Sequence, residues 1–410
     1  MKAPVYDPLD VDFLADPYPT YRWLRDSEPV HHRAATSRAP GFWALSRFED
    51  IWSAVRQPDL FSSAQGLTFF PDEISTLGLP PNIVMLDPPQ HTRLRGLIGR
   101  GFTPRHVTRL EDSIRAFVRA RLAEMSARAA AGERLDLHTD YSATVPTFVL
   151  AELFGVPEAD RVRFGPWVRN VTALQDETLN GAGLDEPARA DGIGAVTELL
   201  AYFSEVIAAR RASGAEDDLI GALVAAELDG ERLSDWDILG FCFVVTAGGS
   251  DTTAALISHA VMLLDGAPDQ RRLLHDDPAL ISSGLVEFLR LESSVQGLAR
   301  TTTRDVTIHG VTIPAGDKVM MLYGAANRDP REFGDTADRL DLHRSITRHL
   351  AFSSGPHFCI GNHLAKLQAR VALEELLAAH PQVSVDPAAG TRHESAFVRG
   401  WVSLPVADLG

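Results

Sequence analysis

Along most of the chain apolar residues recur at helical spacing, and only short stretches alternate with period two. The spacing predicts helices over 19–27, 48–56, 104–131, 141–154, 187–213, 215–228 and 362–379. The stretch 104–131 opens on Pro104 and stops at Gly132, the usual asymmetry of helix ends. Strand signals are confined to 41–45 and its neighbours, 306–313 and 318–322, each bounded by Gly or Pro. The pattern therefore predicts a mainly α chain with a small β portion.

The longest apolar run, 241–264, contains a defect: Gly248-Gly249-Ser250-Asp251-Thr252-Thr253. These residue types cost entropy or compete for backbone hydrogen bonds inside a helix. Taken alone, the defect reads as a kinked core helix with a small-residue groove or as a functional opening.

Composition narrows the class. The 410 residues are 45% hydrophobic and 23% charged, ample for a large buried core. No linker, charge block or internal repeat divides them, so a single domain is expected, with its core over about 7–402. A net charge of −16 argues against nucleic-acid or acidic-membrane partners. The opening residues carry prolines and acids and predict neither a signal peptide nor a membrane anchor. Two cysteines exclude a disulfide framework and zinc clusters, and suit a reducing cytoplasm.

One of those cysteines sits in Phe352-Ser-Ser-Gly355-Pro-His357-Phe-Cys359-Ile-Gly361, a glycine-punctuated loop before the helical run 362–379. A single thiolate can be a protein's only bond to a haem iron. Gly355 and Gly361 would allow positive φ and close backbone approach to a flat macrocycle. A helix N-terminus beside Cys359 would stabilise the thiolate. An inert buried cysteine is the plain alternative. A Cys–His hydrolase, with Cys359 as nucleophile and His357 or His363 as base, is another.

Here the sequence resembles the cytochrome P450 family, whose signature F-x-x-G-x-H-x-C-x-G is filled at every fixed position. It departs at Ser353, where the family commonly has a further glycine. The resemblance implies a mainly α, single-domain P450 fold around heme b, an iron protoporphyrin IX ligated by Cys359. Phe352, Gly355, His357 and Gly361 would complete the loop. It implies that the defective helix crosses above the haem. Gly248 and Gly249 would leave space for dioxygen, and Asp251 and Thr252 would deliver protons. Glu287 and Arg290, at i and i+3, would form a lock with Arg339. His91, Arg95, Arg300 and His357 match the positions that hold the haem propionates, with Arg95 and Arg300 best suited as guanidinium forks.

For a substrate pocket the resemblance points to Phe69, Phe70, Ile83, Val84, Val244, Val245, Val295, Leu298 and Phe397, with few charges and so an apolar small molecule. Neighbours Leu67 and Leu174 belong to the same segments. The implied enzyme is a soluble bacterial monooxygenase of actinobacterial type, using dioxygen and NAD(P)H electrons through ferredoxin reductase and ferredoxin. Arg93, Arg100, Arg105, Arg109, Arg348, Lys366 and Arg370 are candidates for docking an acidic ferredoxin, or form a solvated basic face. A peroxide-driven peroxygenase and a non-catalytic haem protein that binds small molecules are the remaining readings.

Overall fold

The computed structural model describes residues 4–71, 82–101, 107–180 and 186–410. Helices dominate. α1 (Val11–Ala15) and α2 (Tyr18–Ser27) precede a hairpin of β1 (Val30–Arg33) and β2 (Phe42–Leu45), then α3 (Phe48–Ala54) and β3 (Phe61–Ser62). α4 (Gln90–Gly101), α5 (Glu111–Ala130), α6 (Thr144–Leu153), α7 (Arg161–Asn180), α8 (Glu186–Ser213) and α9 (Leu219–Ala225) follow. A small hairpin of β4 (Glu227–Leu228) and β5 (Glu231–Arg232) leads to α10 (Asp235–Gly249) and α11 (Asp251–Asp265). Then come α12 (Pro268–Asp276), α13 (Leu280–Leu291), β6 (Leu298–Thr302), β7 (Val306–Ile308), β8 (Val311–Ile313) and β9 (Lys318–Met321). α14 (Tyr323–Ala326), α15 (Pro330–Phe333) and α16 (Asn362–Ala379) precede the terminal strands β10 (Ser384–Val385), β11 (Thr391–Arg392), β12 (Trp401–Ser403) and β13 (Val406–Asp408).

Two apolar clusters organise these elements. One is helical and packs α5, α6, α10, α11, α13 and α16 around residues such as Ile114, Tyr141, Val149, Ile257, Phe288 and Leu373. The other lies on the five-stranded sheet, in the order β1-β2-β9-β6-β3, with α1, α2 and α3 against it. Within that sheet β2 and β9 pair in parallel, Trp43 opposite Val319, while the other pairs are antiparallel. Among the described residues two stretches, 186–213 and 235–265, are long and apolar enough to cross a membrane by length and composition. The second threads the helical cluster, where an apolar surface all round is expected of a core helix.

Several predicted boundaries move. Helix α5 starts at Glu111 rather than at Pro104, which lies outside the described residues, and it ends as expected where Gly132 takes φ +81°. The 141–154 stretch divides into a π-helical turn, His138–Ser142, and α6. The predicted helix 215–228 shrinks to α9, because Asp229 and Gly230 take φ +53° and +82° and turn the chain into the β4–β5 hairpin.

Candidate active site

The defect in the long apolar run becomes a break between α10 and α11 at Ser250, whose ψ of −72° departs from the helical value. The Thr252 hydroxyl donates back across the break to the Gly248 carbonyl at 2.8 Å. A Cβ at Gly248 would meet no heavy atom within 4 Å, whereas one at Gly249 would touch Leu150 of α6 at 3.7 Å. Only Gly248 therefore faces clear space, and Gly249 serves packing. Asp251 and Thr252 are half-buried at the start of α11.

The thiol loop folds back on itself, with the Cys359 amide donating to the Phe352 carbonyl at 3.0 Å. The Asn362 side-chain amide donates to the Cys359 carbonyl at 2.9 Å, tying the loop to the first turn of α16. Burial pushes the Cys359 thiol up, while the Gly361 amide, the Arg95 guanidinium and the Asn362 amide pull it down. Gly355 has φ +69°, and a Cβ there would lie 2.7 Å from the Val55 carbonyl oxygen. Its close approach is thus to the protein's own α3 end. Gly361 has φ −81°, so the expected positive φ is absent there. Positive φ falls instead on Ser353, at +57°, whose hydroxyl lies 3.2 Å from that of Tyr323.

Beside this loop four basic side chains converge. The rings of His91 and His357 are 4.2 Å apart, and both His91 nitrogens are buried without a hydrogen-bond partner among the described residues. Arg95 donates to the Phe358 carbonyl at 2.5 Å, and among the described residues the buried Arg300 guanidinium donates only to its neighbour's carbonyl, Ala299, at 2.8 Å. Burial, then Arg300, His91 and Arg95, press His357 down to about 3. His91 is lowered by burial and Arg95, against the pull of Asp87. The Asp87 carboxylate is engaged by the Ser62 hydroxyl at 2.5 Å and the Ser63 amide at 2.8 Å. Ser63 in turn reaches His357 Nε2 at 3.2 Å. Two guanidinium groups beside two histidines whose charged forms they disfavour, with orphaned nitrogens on buried His91, call for an acidic ligand. Two propionates on a flat porphyrin, with a soft thiolate for its iron, fit that donor set. Ser63 and Asp87 carried no motif, and only their contacts reveal them.

The lock differs from expectation in one member. Arg290 pairs with Glu287 through two bonds, Nε at 2.7 Å and Nη2 at 2.8 Å. Arg344, not Arg339, supplies the second guanidinium, with Nε 3.2 Å from Glu287. Arg339 is exposed and offers its backbone carbonyl to both arginines at 3.4 Å. A solvated side chain at 339 gains nothing by turning inward, whereas Arg344 also bonds the carbonyls of Phe333 and Thr336 at 2.7 and 2.8 Å.

The expected pocket residues fall into two groups. Phe69 and Phe397, 0% and 1% exposed, stack with Phe42 in the sheet cluster, at centroid distances of 4.7 Å (Phe42 to Phe69) and 5.2 Å (Phe69 to Phe397). Phe70, Val295 and Leu298 pack against the same cluster. Ile83, Val84 and Val245 belong to the helical cluster, and Val244 is half-buried on α10. A cleft lined by Ile83, Leu94, Leu200, Trp236 and Phe243 lies beside the second group. Of the basic docking candidates, Arg93 pairs with Glu231, Arg348 with Glu332 and Glu49, and Arg370 with Glu111 and Glu374. Their charge is largely compensated. Lys366 is spent over the Phe352 ring at 5.4 Å, Arg109 is exposed, and Arg105 and the side chain of Arg100 lie outside the described residues.

The family model described as Cytochrome P450 matches residues 280–391. Cytochrome P450 130 of Mycobacterium tuberculosis is 43% identical over 395 residues, which cover 95% of this chain and 94% of that protein. Vitamin D(3) 25-hydroxylase of Pseudonocardia autotrophica is 36% identical, covering 98% and 96%. Among solved structures, Mycobacterium marinum cytochrome P450 CYP268A2 in complex with pseudoionone superposes with a TM-score of 0.85 at 32% identity, covering 100% of both chains. With relatives this similar along its whole length, the chain belongs to the cytochrome P450 family and is a bacterial monooxygenase built around thiolate-ligated protoporphyrin IX haem.

Proposed function

We propose that this enzyme inserts one atom of dioxygen into an apolar organic molecule, by hydroxylation or oxidative dealkylation, with NAD(P)H electrons relayed by a ferredoxin reductase and a ferredoxin. The observation that carries the reading is the convergence of Arg95, Arg300, His91 and His357 beside the loop that holds Cys359. Haem, when bound, supplies the redox centre at which dioxygen is reduced and cleaved. Cys359 would supply its thiolate ligand, held in shape by the Phe352 carbonyl and the Asn362 side chain. Arg95, Arg300, His91 and His357 would neutralise the propionates, and Gly355 lets the loop lie against α3. At the break, Gly248 leaves room, the Thr252 hydroxyl would hold water or a proton at its Oγ1, and Asp251 would pass protons inward from solvent. Glu287, Arg290 and Arg344 brace the segment that leads into the thiol loop.

The apolar lining favours a substrate with few charges, and relatives are named for vitamin D3 hydroxylation and for a complex with pseudoionone. Those two compounds head the screen. A cytoplasmic, single-domain protein goes with this reading, since both cysteines are free thiols. The purified holoprotein should give a ferrous carbon monoxide spectrum of the thiolate-ligated type, and Cys359→Ala should lose it. An unchanged spectrum in that variant defeats the ligand assignment. Product from NADPH with ferredoxin and reductase, and little from peroxide alone, is the expected turnover result; the reverse would make the enzyme a peroxygenase.

A further inference from the structure

Thr252 is held from a second side by a residue that no motif singled out. The buried Ser294 hydroxyl, in the loop between α13 and β6, donates to the Thr252 carbonyl at 2.8 Å. Ser294 is itself fixed. Its carbonyl accepts the Arg399 amide at 2.7 Å, and the next residue, Val295, bridges Val398. Two residues earlier Glu292 is bonded by Tyr18 at 2.8 Å, Arg328 at 3.0 Å and Arg399 at 3.2 Å. The same Arg399 guanidinium donates to the Leu14 and Ala15 carbonyls at 2.7 and 3.1 Å. The hydroxyl thus projects from a frame built of α1, α2, the end of α13 and the chain before β12. It cannot follow the helix if the helix moves.

On the other side the helix has reason to move. Ser250 interrupts the run of helix, and Thr252 stands in the first turn of α11, where the amides rather than the carbonyls lack helical partners, so the Ser294 bond is an added tertiary anchor on a carbonyl of the ladder. Its hydroxyl is engaged by Gly248 across the break, and its carbonyl by Ser294. We propose that Ser294 is a positioning residue for proton delivery: it clamps the Thr252 carbonyl to the rigid frame and so sets where the Thr252 hydroxyl stands relative to the break. This deepens the reading of Thr252 given above and rests on it.

The test uses the holoprotein and three variants, Ser294→Ala, Ser294→Thr and Thr252→Ala, together with the double variant Ser294→Ala/Thr252→Ala. Hydrogen exchange should speed about five-fold at the amides of residues 251–256 in Ser294→Ala, as loss of one neutral hydrogen bond predicts, and return near the parent rate in Ser294→Thr. During NADPH-driven turnover with vitamin D3 or pseudoionone, whichever gives the larger spectral shift, Ser294→Ala should at least double the share of electrons lost as hydrogen peroxide. In the Thr252→Ala background the same change should add nothing, because the clamp acts through Thr252. Unchanged exchange in Ser294→Ala, or a peroxide increase of equal size with Thr252 already removed, overturns the proposal. Failure of the parent reading shows separately, as a parent without the thiolate spectrum or a Thr252→Ala variant with parental peroxide yield.

Discussion

Glu287 and Glu292 stand near one end of α13, five residues apart, both buried and both gripped by arginines, yet they do different work. Glu287 has a partner one turn away in Arg290, and Arg290 spends its remaining donors on the carbonyls of Asn327 and Ala337 at 2.8 and 2.6 Å. With Arg344 it staples a single stretch, from α13 to the approach of the thiol loop. Glu292 gathers Tyr18, Arg328 and Arg399, residues drawn from both ends of the chain. Burial raises its carboxyl, but Arg399 and Arg328 outweigh that and hold it at about 2. One carboxylate is a local brace. The other is a long-range tie, which also carries the frame behind Ser294.

The sharpest way to break the comparison is Glu287→Ala. It leaves Arg290, 0% exposed, with an uncompensated charge, and should cost about 3–5 kcal/mol with loss of haem retention, read by denaturant unfolding and haem content. Glu292→Gln should cost less, about 2–3 kcal/mol, because the amide oxygen still accepts bonds from its arginines. Its signature is in the pH dependence. A carboxylate held at about 2 rather than 4.5 contributes stability that is present above pH 4.5 and lost as pH falls toward 2. Thermal midpoints of the parent should drop through that window, and those of Glu292→Gln should drop less. A second acid-side loss persists in both proteins, because burial holds His138 at about 4 and His259 at about 3 against an ordinary 6.5. Midpoints that respond identically in parent and variant would end the claim that Glu292 is an ionised tie.

Arg344→Ala against Arg339→Ala sharpens the other half. The first should lose about 2 kcal/mol and the second under about 0.5 kcal/mol, since only the backbone of Arg339 is used. Equal losses would restore Arg339 to the lock. The smallest effect is expected away from both carboxylates. Ser353→Gly relieves a non-glycine φ of +57° at the cost of a bond to Tyr323, for a net gain of about 0.5 kcal/mol in thermal unfolding.

These contrasts also explain what could be read from residues alone. The thiol loop was legible because its ligand, glycines and histidine are contiguous, and Glu287 with Arg290 because i, i+3 places them on one face. The second lock arginine was not. Arg328, Arg331, Arg339, Arg344 and Arg348 crowd the same segment, and only the folded contact with Glu287 distinguishes Arg344 from the rest. Ser294 and Tyr18 gave no signal, since their roles depend on partners tens to hundreds of residues away. Among elements, the helices with long periodic stretches emerged as expected. The 215–228 prediction kept its middle, Leu219–Ala225, and lost its end because a positive-φ pair just beyond it turns the chain into a hairpin, and Gly361 was misjudged because its position, not its φ, is what the helix start needs.

The parallel pairing of β2 with β9 has a consequence for how the protein is made. Trp43 also donates to Asp317 at 2.9 Å, a partner 274 residues later in the chain. At roughly 5–20 residues per second on the ribosome, the first hairpin waits about 14–55 s for its neighbour strand to emerge. During that interval the open edge of β2 is a surface that nascent-chain chaperones must shield.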